Sequence, residues 1–176
     1  MARLPFVDPH TPGADSELIA AVQSRRGGAL LNLDRLLLHS APITRGWNAF
    51  MGAIRSAGVL DGGLRERVIL LVAVLNRAPY EFVQHAPVAL AEGVAQAQVD
   101  ALKAGWEASA LFTPRERDVL AYAQAMTLQV QVPPAVFDAA RAHFSDREMV
   151  ELTATVAAYN MVSRFLEALR IEPEGA

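Results

Sequence analysis

Glu66, Glu81 and His85 are the residues of this chain whose types and spacing could move a proton. An imidazole exchanges protons near neutral pH, and a carboxylate within reach can set its tautomer or take the proton from it. Glu81 and His85 stand four positions apart, so on one helix they share a face one turn apart. Tyr80, next to Glu81, adds a phenol able to donate to a developing oxyanion. Glu66 heads an aliphatic run, and burial against Ile69 and Leu70 would favour its protonated form and bring it towards the range in which a carboxyl exchanges protons efficiently. A Glu81, His85, Glu66 relay is the functional expectation. Each member also has a plainer reading. Glu66 can be an N-terminal-turn glutamate paired with Arg65 or Arg67. The Glu81 and His85 pair can be a surface contact worth roughly a few tenths of a kcal/mol, and Tyr80 can simply pack its ring at an interface.

A second group, Arg35, His39 and Asn48 with Trp47, is the candidate wall of a substrate pocket, Arg35 binding an acidic group through its planar fork. Arg35 can equally brace a helix end, and Trp47 reads better as core. Tyr159, Asn160 and Arg164 lie in an otherwise apolar helix, where buried polar groups need partners. Hydrogen bonds between helices or subunits are the expectation there. His10 and His143 read as surface residues. Glu66, Glu81 and His85 offer oxygen and nitrogen ligands, but one imidazole with two carboxylates is a poor zinc set, so no metal is expected. The chain has no cysteine. Disulfides, thiolate nucleophiles and sulfur-ligated metals are therefore excluded, and no cofactor is expected.

The elements that must carry these groups read as helices. In the stretch Arg65–His85, RERVILLVAVLNRAPYEFVQH, an apolar helix headed by Arg65, Glu66 and Arg67 should stop after Asn76 and Arg77. Pro79 disfavours helix at Ala78 and suits the first turn of the next one. Upstream, a helix is expected from Ser16, which would be its cap, to Arg25–Arg26. Another should run from Asn32 to Leu38 with an Asn or Asp cap and end at Pro42, and a third should run from about Ile43 to Gly58. Asp61, Gly62 and Gly63 read as a turn. Pro87 either kinks or ends the His85 helix, and the local pattern leaves both open. Gly93 marks a stop, followed by a helix over Gln96–Gly105. Thr113, Pro114 and Glu116 should open a helix, as should Ser145 and Glu148, the latter leading to Leu169. Between them, Pro133 and Pro134 precede a helix bearing Phe137 and Ala140. Strand-like alternation is almost absent, so the class is all-α.

The Arg65–His85 stretch resembles the signature of the carboxymuconolactone decarboxylase and alkylhydroperoxidase D family. In that signature a Glu near one helix start is followed by C-x-x-C at the next and then by a His. Glu66, Ala78, Glu81 and His85 fall on those four positions in order, with neither cysteine present. LLNLDRLLLHSAP and FSDREMVELTATVAAYNMVSRFLEAL also resemble cysteine-free members, so the likeness runs from Gly27 to Ile171. It implies an alkylhydroperoxidase D-like helical bundle and a homo-oligomer, commonly a trimer or hexamer, with sites near subunit contacts. It further implies cofactor-free acid-base chemistry of decarboxylase or lyase type on a small carboxylated or lactone metabolite. Glu66 and His85 would shuttle the proton, Glu81 would orient His85, Tyr80 would polarise a carbonyl, and Arg35 or His39 would bind an anionic group. The alternative is a non-catalytic oligomeric binding or scaffold protein that has lost thiol peroxidase chemistry.

At 176 residues, 52% of them hydrophobic, the chain can bury one sizeable core. One helical domain is expected over 15–171, with an extended arm over 1–14 and a tail over 172–176. A net charge of −3 gives no footprint for nucleic acid. No leader-like segment or membrane-length apolar run is visible, which makes the cytoplasm the expected location.

Overall fold

The computed structural model describes residues 1–175; Ala176, the end of the expected tail, lies outside the described residues. Among the described residues the chain is helical with no strand, as the near absence of alternation predicts. In chain order the helices are α1 (Ser16–Arg26), α2 (Asn32–Leu37), α3 (Ala41–Gly52, continued by a π-helical turn over Ala53–Ala57), α4 (Gly62–Leu75), α5 (Pro79–Ala91), α6 (Gln96–Ala104), α7 (Pro114–Gln129), α8 (Pro134–Arg141) and α9 (Asp146–Leu169). They group into two compact units, one formed by Met1–Ala57 with the chain from Leu166 onward, the other by Gly58–Phe165.

In the first unit, α1 is capped by Asp15 and not by the expected Ser16, the Asp15 carboxylate accepting from Leu18 N at 3.0 Å. Leu18, Ile19 and Val22 form its buried face. Gly27, at φ 82, ends the helix in the left-handed conformation that glycine adopts without strain. The cap of α2 falls on Leu31, because Asp34 reaches back from the first turn to accept from Leu31 N at 3.0 Å. Pro42, expected as a terminator, instead lies in the first turn of α3, where a missing N–H leaves no bond unmade. Residues of the N-terminal arm are tied within this unit: Arg3 N donates to Leu169 O at 2.9 Å and Val7 N to Arg35 O at 3.2 Å.

In the second unit, Asp61 caps α4 by accepting from Leu64 N at 2.8 Å, so the helix starts at Gly62. The expected glycine turn is thus already helical, and Glu66 sits beyond the first turn, away from the strongest influence of the helix dipole. Val68, Ile69, Leu70, Leu71 and Val72 are essentially inaccessible, since α5, α6 and α7 all pack on α4. Each such side chain contributes about 1.5–3 kcal/mol on burial, ample to carry a polar neighbour. The helix ends with Arg77 N bonded to Val74 O at 3.1 Å and Ala78 N to Ala73 O at 2.9 Å, a reversal that places Arg77 at φ 53. Pro79 then opens α5, as its ring geometry predicts. That helix runs through Pro87 to Ala91. Pro87 and Val83 both lie on the exposed side, where water can take the bond that the proline cannot make to the Val83 carbonyl.

Thr113 with Glu116 and Ser145 with Glu148 form the two reciprocal caps expected for α7 and α9. The Ser145 N–H and hydroxyl together hold the Glu148 carboxyl below the usual carboxylate range. One turn on, Glu151 ties α9 to the segment before α4. Burial pushes its carboxyl up, but Arg147 Nε at 2.9 Å and the N–H groups of Val59 at 2.7 Å and Leu60 at 3.0 Å outweigh that and hold it low. A carboxyl depressed in the folded state adds stability that is present above its unfolded value and lost as pH falls through the folded one. Glu151→Gln should therefore unfold at lower urea than wild type at pH 7, with the gap closing on acidification below the ordinary carboxylate range. A gap that is constant from pH 7 to pH 3 would contradict this.

Candidate active site

Residues of α4, α5 and the part of α9 within the second unit build the site. α4 carries Glu66, and the tight reversal at Arg77 with the Pro79 start returns the chain as α5, which carries Tyr80, Glu81 and His85. α9 adds Tyr159. His85 Nδ1 lies 2.6 Å from Glu66 Oε2, and its other ring nitrogen lies 3.5 Å from Glu81 Oε2. Tyr159 meets the imidazole edge-on, with ring centroids 5.0 Å apart and planes at 90°. Exposure is 0% for Glu66, 2% for Tyr80, 3% for Glu81 and 5% for His85, so water is largely excluded.

This arrangement has a defined proton economy. A neutral imidazole has one N–H and one lone pair. With a carboxylate oxygen facing each ring nitrogen, both contacts are attractive only if the ring is doubly protonated or one carboxyl carries the proton. Moving that proton between His85 and Glu66 needs a shift of well under an ångström along the 2.6 Å contact. The three groups can therefore hold a proton in reserve and release it without rearranging side chains. Arg65 Nε, 3.4 Å from Glu66 Oε1, faces the other Glu66 oxygen. Among the described residues no three His, Cys, Asp or Glu side chains are grouped to hold a metal ion.

The second predicted group is placed in the first unit and engaged there. Arg35 donates from Nε to Val7 O at 3.1 Å and lies 4.9 Å over the Phe6 ring. His39 Nε2 contacts Pro5 O at 2.8 Å, and Asn48 accepts from Arg25 Nε. Trp47 is buried, as core. Asn160 joins helices as expected: it accepts from Asn76 at 3.0 Å and Arg164 at 2.7 Å and donates to Thr127 at 2.9 Å. His10 is exposed, and His143, also exposed, contacts Asp118 at 2.7 Å. The sequence marks Tyr159 only as a bonding group, since nothing local identifies a tyrosine midway along α9 as the neighbour of His85.

The helical order and the buried acid, imidazole and acid on α4 and α5 define an all-α protein of the alkylhydroperoxidase D-like fold. An uncharacterized peroxidase-related protein from Ralstonia eutropha JMP134, described as an alkylhydroperoxidase AhpD core, superposes with a TM-score of 0.84 at 20% identity, over 99% of this chain and 93% of that one. An uncharacterized peroxidase-related protein from Silicibacter sp. TM1040 gives 0.81 at 20% identity, over 98% and 91%. Residues 41–125 match the model of the carboxymuconolactone decarboxylase family, and the chain, like the cysteine-free members it resembles, has no cysteine. The uncharacterized protein YnjA of Escherichia coli K12 is 40% identical over 76 residues, a match spanning 41% of this chain and 40% of that protein's length.

Proposed function

We propose that this chain performs cofactor-free acid-base chemistry, of decarboxylase or lyase type, on a small carboxylated or lactone metabolite. The observation that carries the reading is the 2.6 Å contact between His85 Nδ1 and Glu66 Oε2 at a fully buried carboxyl. In a decarboxylation the bond to the carboxylate carbon breaks, carbon dioxide leaves, and the electron pair passes into an adjacent carbonyl as an enolate. Tyr80 stabilises that oxygen, and the proton held between His85 and Glu66 is delivered to carbon. Glu81 orients the imidazole and balances its charge. Arg35, His39 and Asn48 are engaged with partners inside the first unit, and the proton steps proposed here do not use them. The likeness to the carboxymuconolactone decarboxylase family supports a homo-oligomer, trimer or hexamer, and we place it in the cytoplasm.

The test is incubation with carboxymuconolactone and a set of related lactone acids in deuterated water, following carbon dioxide release and deuterium at the former carboxyl-bearing carbon. Turnover that is lost in Glu66→Gln supports the reading. A set that neither turns over nor raises the melting temperature would sink it. The second reading, a scaffold whose buried ionic cluster only braces helices, is favoured by the Arg65 contact with Glu66 at 3.4 Å. It predicts that variants of the cluster change stability alone.

A further inference from the structure

The carboxylate of Glu92, at the end of α5, occupies space that a side chain on α4 would need. A Cβ placed on Gly62 would stand 2.1 Å from Glu92 Oε2, and one on Gly63 would stand 3.1 Å from Glu92 O. From there Glu92 Oε1 reaches Arg65 Nη2 at 3.5 Å, while Arg65 Nε faces Glu66 Oε1 at 3.4 Å. Glu66 Oε2 in turn faces His85. A continuous line of charge thus runs from the half-exposed Glu92 to the buried imidazole. Arg65 is mostly buried, so its guanidinium is held by these partners rather than by water.

We propose that Arg65 and Glu92 are positioning residues for the Glu66 and His85 pair, Glu92 acting through Arg65 from the space that Gly62 leaves open. This rests on the acid-base reading of the pair above. Arg65 fixes one oxygen of Glu66 so that the other stays aimed at Nδ1. It also supplies the positive charge that keeps Glu66 ready to accept a proton. Glu92 meets the guanidinium from the solvent side and holds Arg65 in that place. The other charged or titratable groups around the pair are Tyr80 and Glu81 on α5, Tyr159 on α9, and Arg67 on α4, which is turned away to Glu116 of α7 at 3.1 Å and Gln98 of α6 at 2.9 Å.

The experiment reads the ring-nitrogen NMR signals of His85 against pH in Arg65→Gln, Glu92→Gln and Gly62→Ala. Removing the Arg65 cation should make the cluster hold its proton to higher pH, by about one unit or more. Glu92→Gln is diagnostic by sign. Loss of its negative charge alone would move the His85 transition to lower pH, whereas release of Arg65 from Glu66 moves it to higher pH, the expected result. Gly62→Ala changes no charge and displaces only the flexible Glu92 side chain, so it should move the transition in that same upward direction. A downward or absent shift in Glu92→Gln, or a flat Gly62→Ala, overturns the proposal. Both of these positions lie towards the surface, so the two variants keep the test valid even if Arg65→Gln does not fold. Because the readout needs no turnover, failure to find a substrate removes the proposed activity and leaves this positioning role to be judged by the shifts.

Discussion

Glu66→Gln is expected to lower turnover of the accepted substrate by about 10²–10⁴-fold, the span typical of losing a positioned acid or base. Glutamine keeps the shape and an oxygen that can accept from His85 Nδ1, so the contact seen at 2.6 Å can still form. What it cannot do is carry the mobile proton. The loss should therefore fall on kcat, with KM little changed, because an interaction used in proton transfer differs between ground and transition states. His85→Gln should show the same pattern, and the double variant should be little worse than either single one, as for residues that work as a unit. Circular dichroism and sedimentation should match wild type. Equal kcat in Glu66→Gln and wild type would remove Glu66 from the chemistry.

Asp34→Ala is expected to destabilise the fold by about 3–5 kcal/mol, the range for breaking a buried ion pair from one side. Asp34 is 1% exposed and accepts from Arg26 Nε at 2.9 Å, Arg26 Nη2 at 3.0 Å, Arg25 Nη2 at 3.5 Å and Leu31 N at 3.0 Å. Alanine leaves the two guanidinium groups, each 13% exposed, without their shared carboxylate and strips the first turn of α2 of its cap. The Arg45 and Asp15 pair serves as the contrast. Its side chains are 56% and 36% exposed, and breaking it by Arg45→Ala should cost about 1 kcal/mol or less. Urea unfolding of the two variants side by side measures the difference. A loss for Asp34→Ala below that of the exposed pair would contradict the burial argument.

The amino-acid sequence alone determined the features whose energies are local. The all-α class follows from apolar spacing, the starts of α7 and α9 from a hydroxyl followed three residues later by a glutamate, and the break between α4 and α5 from Pro79. Placing Glu81 and His85 one turn apart needs only helical geometry. Local competition also explains the misplaced boundaries. Asp15 outbids Ser16 as a cap by reaching Leu18 N, Asp61 draws Gly62 into the helix, and Pro42 suits a first turn as well as a stop.

Tertiary structure alone decided which charged and aromatic groups meet. Tyr159 reaches His85 because α9 returns to the helices that carry the cluster, Glu92 reaches Arg65 because Gly62 lacks a side chain, and Arg35 and His39 meet the arm. A hydrogen bond or ion pair between distant positions leaves no periodic trace in the chain. Its partner is chosen by how helices pack, and packing depends on the summed fit of many weakly directional apolar contacts.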